Sequence, residues 1–169
     1  MIFYSKFYIP QLKHSLIAAK NEFGLCYIHL SGSDRGFLKA VKNYLNEKPV
    51  RKDKELTEEV RQIREYFAGK RRNFELKVYL KGTGFRNRVW QALAETGYGE
   101  TISYSELAKR SGSSKAVRAA ASGCAVNPVP VVIPCHRVIA KDGSIGGFGG
   151  GIKMKEIMLK LEKVNRDKY

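Results

Sequence analysis

Prolines are concentrated between residues 127 and 138, which read Asn-Pro-Val-Pro-Val-Val-Ile-Pro-Cys-His-Arg-Val. Three of the five prolines of the chain fall here, and each one fixes a backbone dihedral and lacks a backbone donor. The β-branched run Val-Val-Ile at 131–133 favours a short buried strand between them. The sequence therefore predicts a rigid strand that ends directly before Cys135 and His136.

The pair Cys135-His136 supplies the two groups that nucleophilic catalysis needs. A cysteine thiolate is a strong nucleophile, and a neighbouring histidine can accept the thiol proton. Most buried cysteines, however, pack as small hydrophobic side chains. Taken alone, the pair favours core packing over catalysis, and the rest of the sequence has to decide between the two interpretations.

Charge indicates the class of partner. The net charge of the 169-residue chain is +15, and it is spread over both halves. Such a charge favours a polyanion, because basic side chains that neutralise phosphates release condensed counterions. A basic surface without any such partner, enriched in lysine for thermal stability, is the alternative.

The sequence also indicates a compartment. No apolar stretch is long enough for a membrane span, and no secretory segment opens the chain. The three cysteines, Cys26, Cys124 and Cys135, are odd in number and widely spaced, which argues against a disulfide framework. We expect a cytoplasmic protein, or a nuclear one if the source is eukaryotic, without membrane association.

Hydrophobic periodicity predicts an α+β protein in two parts. The N-terminal part has four periodic segments: β-type runs within 1–31, helices over 36–46 and 57–67, and an alternating strand over 74–80. Gly82-Thr83-Gly84 is the best boundary signal. We therefore expect an N-terminal α+β supporting domain with a small antiparallel sheet over 1–81. A mostly helical domain with one proline-bounded strand should follow over 82–169.

A helix-turn-helix is predicted in the second part. Ser103 and Glu106 have the spacing of a capping box at a helix start, Ser111-Gly112-Ser113 interrupts the chain, and a second helix is expected over 114–125. Small residues dominate that second helix, so its backbone can closely approach either a packed helix or a DNA groove. Lys115 and Arg118, three residues apart, would share one face and favour DNA. The side chain of Cys124 is expected to be buried and to serve only in packing.

Several segments resemble one family. The run at 127–138 resembles the active-site signature of the O6-alkylguanine-DNA alkyltransferases. Four further segments are similar to family signatures, namely Gly84-Phe85 with Val89-Trp90, Tyr98 to Tyr104, Lys115 to Ala119, and Gly146 to Gly150. The resemblance covers residues 84–162 with high specificity and residues 1–80 only loosely.

The resemblance implies an irreversible reaction at Cys135. In the family this cysteine takes an alkyl group from damaged guanine in a single turnover, and O4-alkylthymine is a second candidate substrate. A water connects the cysteine to the histidine, here His136, and a glutamate on the last helix, here Glu162, orients that histidine. Without the resemblance, Glu162 would be interpreted as an exposed charge and His136 as a structural histidine.

The resemblance also assigns substrate contacts. Tyr104 matches a donor to the guanine ring, although a core tyrosine would fit the same position. Asn127 matches the residue that ties the motif loop to the helix-turn-helix turn, and a simple turn asparagine is the alternative. Lys155, like Arg137, matches a structural or loop-supporting position. Phe148-Gly149 replaces a tyrosine-serine pair of some relatives, which leaves backbone and apolar contacts for this part of the pocket wall.

For DNA, the resemblance implies minor-groove binding by the second helix. Arg118 would insert into the duplex and replace an extruded base, with Ser114, Lys115 and Ala119 beside it. The expected partner is double-stranded DNA that carries alkylated guanine, bound by a monomer without a cofactor or an obligate protein partner. Some relatives bind a structural zinc in the N-terminal half. Its ligands cannot be matched to His14, Cys26 and His29, so no metal site is predicted.

Two other functions remain open. Alkyltransferase-like proteins share the scaffold and act as non-catalytic lesion sensors, but they lack the cysteine, whereas residue 135 here is cysteine. A cysteine hydrolase would need an oxyanion site and repeated turnover, and the DNA-facing helix argues against it.

Overall fold

The computed structural model describes residues 1–168 and divides the chain into two compact units, residues 1–81 and the residues from Gly82 onwards. Both strands and helices are present, so the predicted α+β class is confirmed. Within the described range, no helix is both long and apolar enough to cross a bilayer.

The first unit is built on a four-stranded sheet in the order β3-β2-β1-β4. Its strands are β1 (Phe3–Ile9), β2 (His14–Asn21), β3 (Gly24–His29) and β4 (Val50–Arg51). The first three pair antiparallel, and the two-residue β4 pairs parallel to β1. Two helices accompany the sheet, α1 (Asp34–Leu45) and α2 (Thr57–Phe67), with a short 3₁₀ helix (Asp53–Leu56) before α2.

Helix α1 covers one face of this sheet. The Ser33 hydroxyl caps its start by accepting a hydrogen bond from the backbone N–H of Gly36. Phe37, Val41 and Leu45 recur at helical spacing and pack into a core cluster with sheet residues such as Ile17.

The predicted elements of this unit have different outcomes. The helix over 57–67 is confirmed at both ends, and the helix over 36–46 is α1. The strand over 74–80 is wrong as a regular strand, although its side chains alternate between half-buried and exposed over 73–78. It forms a single bridge, between Val78 and Leu25. The alternation of polar and apolar residues therefore indicates a segment that is buried on one side along β3, not a strand with continuous backbone pairing.

The second unit is mostly helical. It contains α3 (Gly84–Ala94), β5 (Ile102–Ser103), α4 (Tyr104–Arg110), α5 (Val117–Ala125), a 3₁₀ helix (Cys135–Arg137), β6 (Val138–Ile139) and α6 (Ile152–Asp167). Strands β5 and β6 form a short parallel pair. Because β5 leads directly into α4 and β6 directly follows the 3₁₀ helix, this pair brings the start of α4 close to Cys135.

Helices α4 and α5 form the predicted helix-turn-helix. The Ser103 hydroxyl accepts a hydrogen bond from the backbone N–H of Glu106, as the capping spacing predicted. Helix α5 starts at Val117, so the expected start at Ser114 is wrong. The Ala116 N–H instead closes a turn on the Ser113 carbonyl, and Ala116 itself has a non-helical backbone.

The predicted strand at 131–133 is also wrong. Val131 has a φ of 75°, a left-handed conformation that β-branched residues rarely adopt, and the Ile133 N–H turns back to the Val129 carbonyl at 2.9 Å. The segment is a buried tight turn, because the flanking prolines remove the donors that a strand would need. The rigid segment predicted before Cys135 is thus a turn and not a strand. The strand next to the motif is β6, which begins at Val138.

Candidate active site

Cys135 begins the 3₁₀ helix that follows this turn, and it is 7% exposed. Its backbone N–H donates to the Ile133 carbonyl at 2.8 Å. The Asn127 side chain locks the same turn, donating to the Ile133 carbonyl at 2.8 Å and accepting from the Val129 N–H at 3.0 Å. Both bonds lie inside the motif loop and, within residues 1–168, neither reaches the turn between α4 and α5. Asn127 therefore fixes the support on which the Cys135 thiol sits.

The surroundings of Cys135 favour its ionised form. A hydrogen bond from the Cys124 thiol lowers the pKa of Cys135; burial opposes this, and the Asn127 amide and the positive charge of Lys155 reinforce it. The net effect is a pKa below the usual range of cysteine. Burial raises the pKa of Tyr104, and the neighbouring Cys124 and Cys135 raise it further, so the tyrosine remains a protonated donor.

His136 and Glu162 form a buried pair. Nε2 of His136 lies 2.7 Å from Oε1 of Glu162, and the two residues are 0% and 1% exposed. Burial lowers the pKa of His136, although Glu162 acts in the opposite direction. Burial also works against ionisation of Glu162, yet hydrogen bonds from His136 and Arg137 lower its pKa to about 2. At neutral pH the pair is a carboxylate and a neutral imidazole.

These charge states fix the tautomer of His136. A carboxylate only accepts hydrogen bonds, so the proton between the two side chains belongs to Nε2 of His136. The other ring nitrogen, Nδ1, is then the basic one. The geometry thus provides a proton acceptor whose orientation is set by Glu162.

Arg137 is a second partner of Glu162 that sequence reasoning did not identify. Its Nε donates to Oε2 at 3.0 Å and its Nη2 to Oε1 at 2.9 Å, while Nη1 donates to the backbone carbonyl of Thr96. The guanidinium also lies 5.7 Å from the ring centre of Tyr98. The charge of Glu162 is thereby compensated inside the unit, and no signal in the linear sequence connects positions 137 and 162.

Lys155 contacts the glycine-rich loop. Its fully buried side chain donates from Nζ to the carbonyls of Val138 at 2.6 Å and Gly147 at 3.1 Å. Gly146 has a φ of +71°, and a Cβ at this position would lie 3.2 Å from the Tyr104 hydroxyl oxygen. Only glycine lets the loop approach Tyr104 this closely.

Phe148 and Gly149 follow in the same loop. Phe148 is half-buried and Gly149 is exposed. At these two positions the loop therefore has an aromatic side chain and accessible backbone rather than hydroxyl groups.

Helix α5 has two faces with different surroundings. Ala120 and Gly123 are buried, the Gly123 carbonyl accepts from Nε1 of Trp90 at 2.9 Å, and a Cβ on Gly123 would lie 3.1 Å from Val89. One face of small residues therefore packs on α3. The packed-helix interpretation holds for this face, and the opposite face, with Arg118, Ala119 and Ser122, is exposed.

The four candidate DNA contacts are all exposed: Ser114, Lys115, Arg118 and Ala119. Arg118 and Ala119 lie on α5, whereas Ser114 and Lys115 lie in the turn before it, so the expectation that Lys115 and Arg118 share a helix face is wrong. Within residues 1–168, no acidic side chain forms an ion pair with Arg118. Its guanidinium is thus available to an external partner.

The residues considered for zinc have other contacts. The ring nitrogens of His14 lie 3.2 and 2.8 Å from the carbonyls of Leu12 and Leu30, and the Cys26 thiol donates to a backbone carbonyl at 3.3 Å. Across the described residues, no group of three histidine, cysteine or acidic side chains has an arrangement that could hold a metal ion.

Comparison with known proteins places this site in a family. Residues 84–164 match the profile described as 6-O-methylguanine DNA methyltransferase, DNA binding domain, and residues 15–80 match the ribonuclease-like domain of the same family. A methylated-DNA–protein-cysteine methyltransferase of Methanosarcina barkeri is 41% identical over 146 residues, which cover 82% of this chain and 91% of the relative. The Methanosarcina acetivorans protein of the same name is 38% identical over 148 residues, covering 87% and 90%.

A solved structure agrees with these relatives. The crystal structure of Mycobacterium tuberculosis OGT in complex with DNA superposes with a TM-score of 0.81 at 32% identity, covering 96% of this chain and 94% of that chain. Both halves of the sequence, the fold and the position of the Cys135 motif thus lead to one assignment: the chain belongs to the 6-O-methylguanine DNA methyltransferase family.

Proposed function

We propose that this protein repairs DNA by direct reversal, transferring an alkyl group from O6 of guanine to the sulfur of Cys135. The enzyme class, methylated-DNA–protein-cysteine methyltransferase, follows from family membership. The observation that carries the proposal is the Cys135 thiol itself, which has a lowered pKa and is followed in the chain by the buried His136–Glu162 pair.

The first step is removal of the thiol proton. A free cysteine, with a pKa of about 8.5, is mostly protonated at neutral pH. Nδ1 of His136 is the basic nitrogen of a neutral ring, and one bridging water would carry the proton to it from Cys135. Glu162 then stabilises the imidazolium that forms, in the nucleophile–base–orienter arrangement of hydrolase triads.

The second step is displacement at the alkyl carbon. The thiolate attacks that carbon, a sulfur–carbon bond forms, and the carbon–O6 bond breaks with its electron pair going to guanine. The purine needs a proton or a hydrogen bond as it leaves, and the protonated Tyr104 hydroxyl supplies one. The alkyl thioether formed on Cys135 is not hydrolysed back to the thiol, so each chain acts once. The reaction consumes no cofactor.

DNA binding delivers the base to this buried thiol. An alkylated guanine inside the stack is out of reach, so it has to rotate out of the duplex, at a cost of roughly a few kcal/mol. We assign α5 to the minor groove, with Ala119 allowing close approach and Arg118 filling the space left by the base. Ser114 and Lys115 in the preceding turn lie where they can contact phosphates.

The partner is then double-stranded DNA with an alkylated guanine, and O4-alkylthymine is a further candidate. We propose that a monomer acts alone inside the cell, where the free thiols of Cys26, Cys124 and Cys135 stay reduced. A non-catalytic lesion sensor would use the same DNA-facing helix. The comparisons do not favour it, because the similar proteins are named methyltransferases.

Intact-mass measurement tests the proposal. After incubation with duplex DNA that carries O6-methylguanine, one methyl group should replace the thiol proton of Cys135 in each chain, at a stoichiometry that excess DNA does not raise. Addition of a chelator should leave the yield unchanged. Unmodified protein, a methyl group on another residue, or repeated turnover would each contradict the proposal.

A further inference from the structure

The side chain of Arg137 contacts both carboxylate oxygens of Glu162. Nε donates to Oε2 at 3.0 Å, and Nη2 donates to Oε1 at 2.9 Å. A bidentate bond between a guanidinium and a carboxylate fixes direction as well as distance, because both groups are planar. Arg137 is 7% exposed and Glu162 is 1% exposed, so little water competes for these bonds. Arg137 therefore fixes both the plane and the position of the carboxylate.

Two further N–H groups contact the same carboxylate. Nε2 of His136 lies 2.7 Å from Oε1, and the backbone N–H of Gly99 donates to Oε2 at 3.2 Å. Each oxygen thus has two different partners, and a proton on either oxygen would displace one of them. The oxygen next to Nε2 of His136 is also the one that Nη2 of Arg137 contacts. The bond that orients the imidazole ring therefore depends on where Arg137 holds the carboxylate.

Arg137 is itself anchored on the segment that follows α3. Its Nη1 donates to the carbonyl of Thr96, two residues after the end of α3. The guanidinium lies 5.7 Å from the ring centre of Tyr98, within the range of a cation–π contact. Rotation of the Arg137 side chain would break these contacts as well as those with Glu162. The guanidinium is therefore a fixed support, and it belongs to the residue directly after His136.

We propose that Arg137 is a positioning residue for alkyl transfer, whose guanidinium holds the Glu162 carboxylate in line with Nε2 of His136, so that Nδ1 is the nitrogen presented to the thiol proton. Arg137 acts through Glu162 and His136 and not on the reacting atoms. The inference rests on the proposed function, in which His136 accepts the proton of Cys135. It assigns to Arg137 a part in the reaction beyond the structural support that the resemblance implied.

Arg137→Lys separates geometry from charge, because an ammonium keeps the positive charge beside Glu162 but lacks the planar fork. With methylated duplex in saturating excess, the single-turnover rate constant at neutral pH should fall about tenfold, the order of the loss when a partner that orients a metal-bound histidine is replaced. Partial unfolding would lower the amplitude, which counts the active chains, and leave the rate constant unchanged. A wild-type rate constant for Arg137→Lys would overturn the inference.

Arg61→Lys is the matched control for this substitution. Arg61 also bonds to two carboxylate groups, those of Glu58 and Glu65, but it lies on α2 of the first unit. It should retain the wild-type rate constant, because none of these three side chains contacts His136 or Glu162.

A double-mutant cycle tests whether Arg137 acts through His136. In a His136→Ala background, Arg137→Lys should lower the rate constant no further, because effects of residues that act as a unit are not additive. A second tenfold loss in this background would show that Arg137 affects transfer independently of the histidine, and would overturn the inference.

Hydrogen exchange measured by NMR on the protein without DNA keeps this inference apart from the proposed function. The Nε2 proton of His136, assigned by its absence in His136→Ala, should exchange with water faster in Arg137→Lys than in wild type. The control is the Nε1 proton of Trp90, which bonds to the Gly123 carbonyl in the same unit and should exchange at the wild-type rate.

Two exchange results would overturn the inference. Unchanged exchange at His136 would show that Arg137 does not orient the ring, and equal acceleration at Trp90 would show that Arg137 only stabilises the unit. If the wild-type protein accepted no methyl group while exchange followed the expectation, the proposed function would be refuted, and the orientation of the ring by Arg137 would stand.

Discussion

Nε2 of His136 and Oε1 of Glu162 are joined by a 2.7 Å hydrogen bond between two side chains that are almost completely buried. The bond sets which ring nitrogen of His136 is basic, and it places the negative charge where an imidazolium would form. His136 and Arg137 together lower the pKa of Glu162 to about 2, so the carboxylate stays ionised beside the ring at neutral pH.

Replacing His136 by Ala should therefore slow alkyl transfer at pH 7 by about 10²-fold, the size of a typical general-base contribution. The rate should partly recover as the pH rises towards the pKa of a free thiol, since Cys135 then ionises without a base. Single-turnover rates on methylated duplex DNA across pH 6–9 (about the range between free histidine and cysteine) give the measurement. Affinity for the same DNA is the control, and equal losses in binding and in rate would mark His136 as structural.

Glu162 should also make the free energy of unfolding depend on pH in the acidic range. Its pKa falls from 4.5 to about 2 in the folded chain, so the folded state favours the carboxylate. The resulting stability is fully present above about pH 4.5 and is lost as the pH falls towards 2, a loss of about 3 kcal/mol.

Denaturant unfolding of wild type and Glu162→Gln between these pH values checks this prediction. The decline in the free energy of unfolding should be shallower in Glu162→Gln. Glu156→Gln is the matched control, because Glu156 is exposed on the same helix, and it should retain the wild-type slope. Parallel slopes for all three proteins would refute the assignment of this stability to Glu162.

Sequence reasoning succeeded where the signal is local. The α2 helix follows from the spacing of Val60, Ile63 and Phe67, and the start of α4 from one capping serine, Ser103. The strand predicted at 131–133 was wrong, because β-branched residues favour strands only where their backbone groups can pair. The prolines prevent that pairing, and Val131 adopts a left-handed conformation instead.

The site was predicted only in part, for a similar reason. Resemblance supplied Cys135, His136 and Glu162, but the contacts of Arg137 and Cys124 depend on tertiary packing between segments 11 to 25 residues apart. The spacing of residues along the sequence does not predict such contacts. They became visible only once α5, the motif loop and α6 were placed together.

DNA affinity should fall steeply with salt, because the chain carries a net charge of +15 and phosphate contacts release counterions. Lys115→Gln should reduce the slope of log affinity against log salt by about 1. Lys48→Gln, an exposed lysine of the first unit, removes the same charge and should change the slope less. Fluorescence anisotropy with undamaged duplex measures both, and a salt-independent affinity would exclude phosphate contacts.

Arg118→Ala and Cys135→Ser should fail in different ways. Arg118 is proposed to hold the extruded state, so its loss should slow transfer from alkylguanine in duplex DNA, while the reaction with the free alkylated base, which needs no flipping, stays nearly normal. Cys135→Ser should bind lesion DNA about as well as wild type. It should accept almost no alkyl group from either substrate, since a serine hydroxyl is far less ionised than a thiol.

Single-turnover rates on both substrates, with DNA affinity measured in parallel, separate the two roles. Lys163→Ala removes one exposed positive charge from α6 and is the control for Arg118→Ala. It should leave the ratio of the two rates at the wild-type value, because charge alone does not stabilise an extruded base. If Arg118→Ala slowed both substrates equally, α5 would be only a scaffold for the site. If Cys135→Ser still became alkylated, the acceptor would be another residue, and the role of the His136–Glu162 pair as its base would be wrong.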